Sequence, residues 1–388
     1  MNAVGRISLP EAAGEDALGR LLAALRARHA EFAANQQISD DVVGMMKAAG
    51  VYRALVARRF GGDEASPMEF LRLIETIALA DGSAGWVASF GFSAIYLSAL
   101  PIETLEEIYA NGPDVVFAGG IYPPQPAANV PGGFSVSGRW AWGSGCTGAD
   151  LIGVGIKPDN ADVTAAASLP RIAVMPRARV RLVPNWDVNG LKGTGSHDMV
   201  VDNVVVPQRW TFTRGGASSL TTPLYRYPSM ALAAQVLAVV ALGVARAALD
   251  DLTALAGERD SITGAPVLAE RAYVQSECAK AEAALRAARA FFFESTQQAY
   301  EHILAGDMLD AQGRNLLRLS ATHAAHTGAD VAQTAYKLSG TTGIFRDHPI
   351  ARRFQDALIV PQHAFLAEGT WQQAGKVFLN MQTAGGFP

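Results

Sequence analysis

Apolar residues recur at every third or fourth position through the first hundred residues, as in "GRLLAALRARHAEFA" and "SPMEFLRLIETIALA", and this period predicts helices over residues 10–112. The second of these segments carries its own start signal. Ser66 stands at the N-cap, Pro67 at the first helical position, and Glu69 where a capping box would close. "DGSAGWVASFGFSAIYLSALP" continues as an apolar helix that Pro101 breaks.

Near Val115 the period changes. Short alternating or β-branched runs, "VVFAGG", "GGFSVSGRWAW", "LIGVGI", "RIAVMP", "VRLV" and "DMVVDNVVVP", are separated by Gly, Pro and Asn, which predicts a small β domain closing near Pro207. Residues 208–227 read as a polar linker loop. After Pro228 the helical period returns over roughly 228–256, 264–305, 310–338 and 349–381, with Ala-rich faces suited to close packing. The predicted layout is therefore an N-terminal helical domain (1–113), a central β domain (114–210) and a C-terminal four-helix bundle (211–388), with no fixed-period repeat.

Composition narrows the function. At 388 residues and 49% hydrophobic the chain can bury sizeable cores without staples. Thirty-two basic against 36 acidic residues, with no basic run, argue against a nucleic-acid partner. Two cysteines and a start without an apolar leader point to a reducing cytoplasm. The greasiest stretch, Met230 to Ala245, is interrupted by Gln235 and falls short of the ~20 apolar residues a bilayer requires, so a helix buried in a bundle is expected rather than a membrane span.

Several familiar sites are missing or incomplete. The glycine run of "GLKGTGSHDMVVDNVVV" (190–206) leads into a strand, not a helix, so no self-contained nicotinamide domain is expected. His323, His326 and Asp330 share a helix face, but without further ligands they read as interhelical hydrogen-bonding groups and not as a metal site. No Ser nucleophile elbow occurs, and Cys146 reads as a small buried hydrophobe. In "RWAWGSGCTGAD", Trp140 and Trp142 fall on one strand face ahead of Ser144. Spacing alone leaves two readings: packed indoles at a strand end, or a ring-stacking wall with a hydroxyl at its rim.

Four stretches, "GGDEASPMEFLRLIETIALADGSAGWV", "SGRWAWGSGCTGAD", "GLKGTGSHDMVVDNVVVP" and "SGTTGIFRDHPIARRFQDALIVPQH", taken in this order, resemble the acyl-CoA dehydrogenase superfold over nearly the whole chain. The likeness is greatest to its oxygen-using branch, the two-component flavin-dependent monooxygenases that include 4-hydroxyphenylacetate and other phenol hydroxylases, dibenzothiophene monooxygenase and indole oxygenases. The resemblance implies reduced FMN or FADH2 delivered by a separate NAD(P)H flavin reductase, O2 carried at flavin C4a as a hydroperoxide, hydroxylation of a small aromatic or heteroaromatic substrate, and a homotetramer.

By the same resemblance, Trp142 flanks the flavin ring and Ser144 bonds near N5, where it takes part in catalysis by keeping that nitrogen protonated. Thr194 and Ser196 line the flavin, and Arg259 reaches its phosphate, often from a neighbouring subunit. Arg352, Asp356 and His363 match a pattern of the oxygenases, which makes His363 the catalytic and substrate-contacting histidine. Glu368 looks like the base of the dehydrogenase branch, but it lies further from Asp356 than that branch implies, and "GGIYPPQPAANV" lacks the branch's acidic residues. An acyl-CoA dehydrogenase using Glu368, and a non-catalytic helical oligomer, are the alternatives.

The chain departs from several phenol hydroxylases at one helix. Where they carry a histidine it has Ser93 and Ala94, so Phe90, Ser93 and Tyr96, with Phe92 beside them and Trp371 opposite, are expected to form an apolar substrate pocket. Such a pocket would suit a neutral indole better than a phenolate or carboxylate.

Overall fold

The computed structural model describes residues 13–159, 169–258 and 266–383. Helices come first: Ala13–Asn35, Asp40–Ala48, Pro67–Ala80, Gly82–Ser89, Ser93–Leu97 and Ile102–Ile108. The Pro67–Ala80 helix opens as its sequence predicts, with the Ser66 side chain accepting from the Glu69 N–H and the Glu69 carboxylate accepting from the Ser66 N–H. The expected continuous helix over residues 81–101 is broken. Asp81 caps a fresh start, and a 3-10 turn at Phe90–Phe92 divides the segment.

The strands are β1 (Phe117–Val130), β2 (Gly133–Gly143), β3 (Leu151–Pro158), β4 (Arg171–Pro176), β5 (Arg181–Val183), β6 (His197–Pro207) and β7 (Thr211–Thr213). They form one sheet in the order β5-β6-β2-β1-β3-β4-β7, with β1 and β3 parallel and every other neighbouring pair antiparallel. The segment read as a linker thus contains a strand: Thr211 and Phe212 pair with Ala173 and Ile172. The alternating Thr-Phe-Thr pattern, with Phe212 buried, is the physical reason.

Long helices follow at Ser229–Glu258, Ala272–Leu304 and Ala311–Leu338, then shorter ones at Pro349–Ile359 and Gly369–Phe378. The Ser229–Glu258 helix is long and apolar enough to cross a membrane, but it is buried on almost every side. It packs against the helices at Pro67–Ala80, Ala311–Leu338 and Pro349–Ile359. Glycine permits the closest approaches: a Cβ on Gly243 would lie 2.6 Å from the Glu75 carbonyl oxygen, and one on Gly328 would lie 2.7 Å from that of Ala241. Gln235, the polar interruption of the apolar run 230–245, is hydrogen-bonded through both its oxygen and its nitrogen in this core. It accepts from the Tyr227 hydroxyl (2.9 Å) and donates to Thr296 Oγ1 (2.7 Å).

The helix expected over 349–381 is in fact two. It ends at Ile359, passes through a 3-10 turn at Val360–Gln362 that contains Pro361, and restarts at Gly369. Both candidate residues of that region, His363 and Glu368, are therefore freed from a regular helix face.

Candidate active site

Three buried hydroxyls meet where the sheet touches the N-terminal helices. β2 ends with Trp142 at φ +61° and Gly143, Ser144 follows it, and the pairing of β2 with β6 slips between Trp140 and Gly143. This bulge overturns the expectation that both tryptophans share a face. Trp140 is fully buried, with its indole N–H on the Gly155 carbonyl oxygen (2.9 Å), whereas Trp142 is 67% exposed. The left-handed turn at Gly145 (φ +71°) then lets its N–H reach the Thr194 carbonyl oxygen (2.8 Å), bringing the 191–196 segment against Ser144.

The hydroxyls form a chain whose direction can be worked out. Thr194 Oγ1 donates to the Leu191 carbonyl oxygen (2.9 Å), so it must accept from Ser196 Oγ (2.8 Å). Ser196 Oγ in turn accepts from Ser144 Oγ (2.7 Å), and Ser144 Oγ accepts from the Trp86 indole N–H (3.1 Å). With its own hydrogen committed, Ser144 can only accept from any further group. An N–H of a bound ring is what it suits.

The turn beneath this chain is held from the opposite side. Asp356 accepts the Leu191 N–H at 2.6 Å, and Leu191 itself sits at φ +53°. Burial, and then the nearby Asp81 charge, push the Asp356 carboxyl up to about 7. Arg353 fixes the same helix, donating to the Ala80 carbonyl oxygen (3.2 Å) and pairing with Asp251 (3.4 Å). Of the Arg352 and Asp356 noted in the sequence, it is Asp356 that braces the turn carrying Thr194, and the helix bearing it is fixed by the neighbouring Arg353.

His363 joins the cluster through Trp86, whose ring centroid is 6.0 Å from the imidazole in an edge-on arrangement. Its Nδ1 accepts the Phe365 N–H at 3.2 Å, which assigns the neutral proton to Nε2. Burial, followed by the charges of Arg214 and Arg318, lowers its pKa to about 4, so the ring is neutral at pH 7. It therefore presents an N–H donor, not a free base. Phe365 lies 5.3 Å from the imidazole.

The remaining predicted residues divide. Tyr96 is buried edge-on to Phe92 (4.8 Å) and within 6.5 Å of Phe212. Phe90 flanks Phe92, and the Ser93 hydroxyl is spent on the Phe90 carbonyl oxygen (2.5 Å). Trp371 does not join the His363 rings: it packs on His323 (6.2 Å) and His326 (5.7 Å), and His326 bonds the Leu366 carbonyl oxygen (2.9 Å). Glu368 is exposed at the start of the last helix, with none of the burial a carbon-acid base requires. Cys146 is buried, its thiol on the Gly195 carbonyl oxygen. Arg259 lies outside the described residues. Among the described residues, no three His, Cys, Asp or Glu side chains group as a metal site.

Two residues were missed. Arg214 follows β7 directly and is only 7% exposed, with its guanidinium 4.6 Å from the Phe365 ring, 5.5 Å from Tyr122 and 5.9 Å from Tyr96. Arg318 is 4% exposed, with its guanidinium 5.3 Å from the Phe365 ring. The pocket is therefore not purely apolar, as the Phe90–Tyr96 helix alone implied. Arg318 was legible, since it sits on the buried stripe of its helix with Ala321 and Ala325; Arg214 was hidden in the segment read as a linker.

These features fit a flavin. Trp142 offers an uncovered indole face held by a strained backbone, beside a hydroxyl chain that ends in an acceptor, which matches a flat ring carrying an N–H.

Comparison with known proteins agrees. Residues 235–368 match the family "Acyl-CoA dehydrogenase, C-terminal domain". Indole-3-acetate monooxygenase of Pseudomonas putida is 56% identical over 362 residues, covering 93% of this chain and 92% of that protein. The flavin-dependent monooxygenase oxygenase subunit HsaA of Rhodococcus jostii is 28% identical, covering 89% and 93%. The crystal structure of 3-HSA hydroxylase from Rhodococcus sp. RHA1 superposes with a TM-score of 0.87 at 25% identity, covering 96% of this chain and 98% of that one.

Proposed function

The chain belongs to the flavin-dependent aromatic monooxygenases built on the acyl-CoA dehydrogenase fold, and from that premise we propose that it hydroxylates indole-3-acetate. The observation that carries the substrate is the 56% identity, over nearly its full length, to a protein of that name. The aromatic wall of Trp86, Phe365, Tyr96 and Phe92 supports it, being of a kind that takes a flat bicyclic ring. An acyl-CoA dehydrogenase reading has no buried carboxylate at Glu368 to support it.

The reduced flavin, when bound, supplies the electrons that activate O2. Trp142, Thr194 and Ser196 hold its ring, and Ser144 Oγ accepts the hydrogen of its N5, keeping that proton in place. Arg259, brought by a neighbouring subunit, takes the flavin phosphate. His363 donates its Nε2–H to an oxygen at the reacting centre, and its neutrality prevents it from acting as a strong acid there. Trp86 and Phe365 exclude water and orient the substrate ring, with Phe90 and Ser93 supporting Tyr96. We read the chain as three parts (1–113, 114–210 and a four-helix bundle at 211–388) in a cytoplasmic homotetramer supplied by a separate reductase.

The test is turnover with an added flavin reductase, NADH, and FMN or FAD, following indole-3-acetate by liquid chromatography and mass spectrometry. Loss of substrate with a product heavier by one oxygen supports the proposal. Peroxide formed in proportion to NADH, with indole-3-acetate untouched, overturns it.

A further inference from the structure

Arg214 is a buried cation that, among the described residues, pairs with no carboxylate. Its Nε donates to the Tyr96 hydroxyl at a long 3.4 Å, and its guanidinium faces Phe365, Tyr122 and Tyr96. A guanidinium carries five donors, and burying one without an anion is costly unless an anion arrives in the working state. Arg318 adds a second positive charge beside Phe365, whose carbonyl oxygen it meets at 3.4 Å. Two cations thus stand beside the same aromatic ring.

The box adjoins the reacting centre. Phe365 is in contact range of both guanidinium groups and of His363, and Trp86 links His363 to Ser144. A ring lying along Trp86 and Phe365, with a short acidic side chain turned toward β7, would bring its carboxylate to Arg214. We propose that Arg214 is the specificity-determining anchor for the carboxylate of an arylacetate substrate, with Arg318 reinforcing the positive field. This rests on the substrate reading above, and it goes further in assigning the acid group to one side chain and making the preference for an acid over a neutral indole a property of that residue.

The experiment measures binding without turnover. The full-length protein is loaded anaerobically with reduced FMN, and equilibrium dialysis compares indole-3-acetate with its neutral isostere indole-3-acetamide for wild type, Arg214→Lys and Arg214→Met. Wild type is expected to favour the acid by roughly 10- to 100-fold, the range of a charge-assisted, bidentate contact. Arg214→Met should bring the two ligands within about 3-fold of each other, and Arg214→Lys should retain only part of the preference because an ammonium cannot form the fork.

Equal affinity of wild type for acid and amide, or an Arg214→Met protein that keeps the preference, overturns the anchor. If Arg214→Met does not fold, the wild-type ratio and its reduction in Arg214→Lys decide. An Arg214-dependent preference in a protein that never oxygenates indole-3-acetate leaves the anchor standing and removes the substrate reading. Oxygenation with a preference indifferent to Arg214 does the reverse.

Discussion

His363→Gln offers a test of the half-buried, neutral imidazole that needs neither flavin nor substrate. The folded pKa of His363 is about 4 against an ordinary 6.5, because burial and the charges of Arg214 and Arg318 disfavour the imidazolium. A depressed histidine contributes stability that is complete above the unfolded value and is lost as pH falls from about 6.5 toward about 4, because the unfolded chain takes up a proton that the folded one refuses. Between pH 8 and pH 5 this linkage amounts to about 2 kcal/mol, and to nearer ~1 kcal/mol if partial exposure of the ring softens the shift. Urea unfolding of wild type and His363→Gln at pH 8 and pH 5, at one protein concentration, isolates the term, because the other titrating groups are common to both. Wild type should lose about 1–2 kcal/mol more than the variant across that interval. Parallel losses within ~0.3 kcal/mol would refute a suppressed imidazole and, with it, the donor role assigned to Nε2.

Other expectations follow from particular contacts. Ser144→Ala removes the acceptor at the end of the hydroxyl chain, so reduced flavin should bind about 10-fold more weakly while oxidised flavin changes less, as read by anaerobic fluorescence titration. Asp356, whose folded pKa is raised to about 7, contributes most below its ordinary value near 3.8 and loses that contribution as pH climbs. Asp356→Asn should therefore gain stability relative to wild type between pH 4 and pH 8 in denaturation experiments. Gly243→Ala would force a methyl to within 2.6 Å of the Glu75 carbonyl oxygen and should cost about 1–3 kcal/mol by the same measurement.

Much of this enzyme could be read from its chain, and the failures share a cause. Period and punctuation located β2 to β6, the first residues of β1 (117–120) and the capped helix at Pro67, since those signals are local. Ser144, Thr194 and Ser196 were named through family resemblance, and they meet in one hydrogen-bonded chain. What was lost depended on distant partners. The bulge that separates Trp140 from Trp142 is set by pairing with β6, and the strand ahead of Arg214 is only three residues long and gains its place by pairing with β4. Pro361 gave local notice of the broken final helix, but only the fold shows that the break turns His363 toward Trp86 and leaves Glu368 in solvent.

A reduced-flavin enzyme that hydroxylates an aromatic acid must draw the new oxygen atom from O2. The most direct measurement supplies wild-type protein with photoreduced flavin, indole-3-acetate and 18O2, and weighs the product. One labelled oxygen atom in oxygenated indole-3-acetate, with none when ordinary O2 and labelled water are used instead, is the predicted result. Unchanged indole-3-acetate, or oxygen drawn only from water, would contradict it.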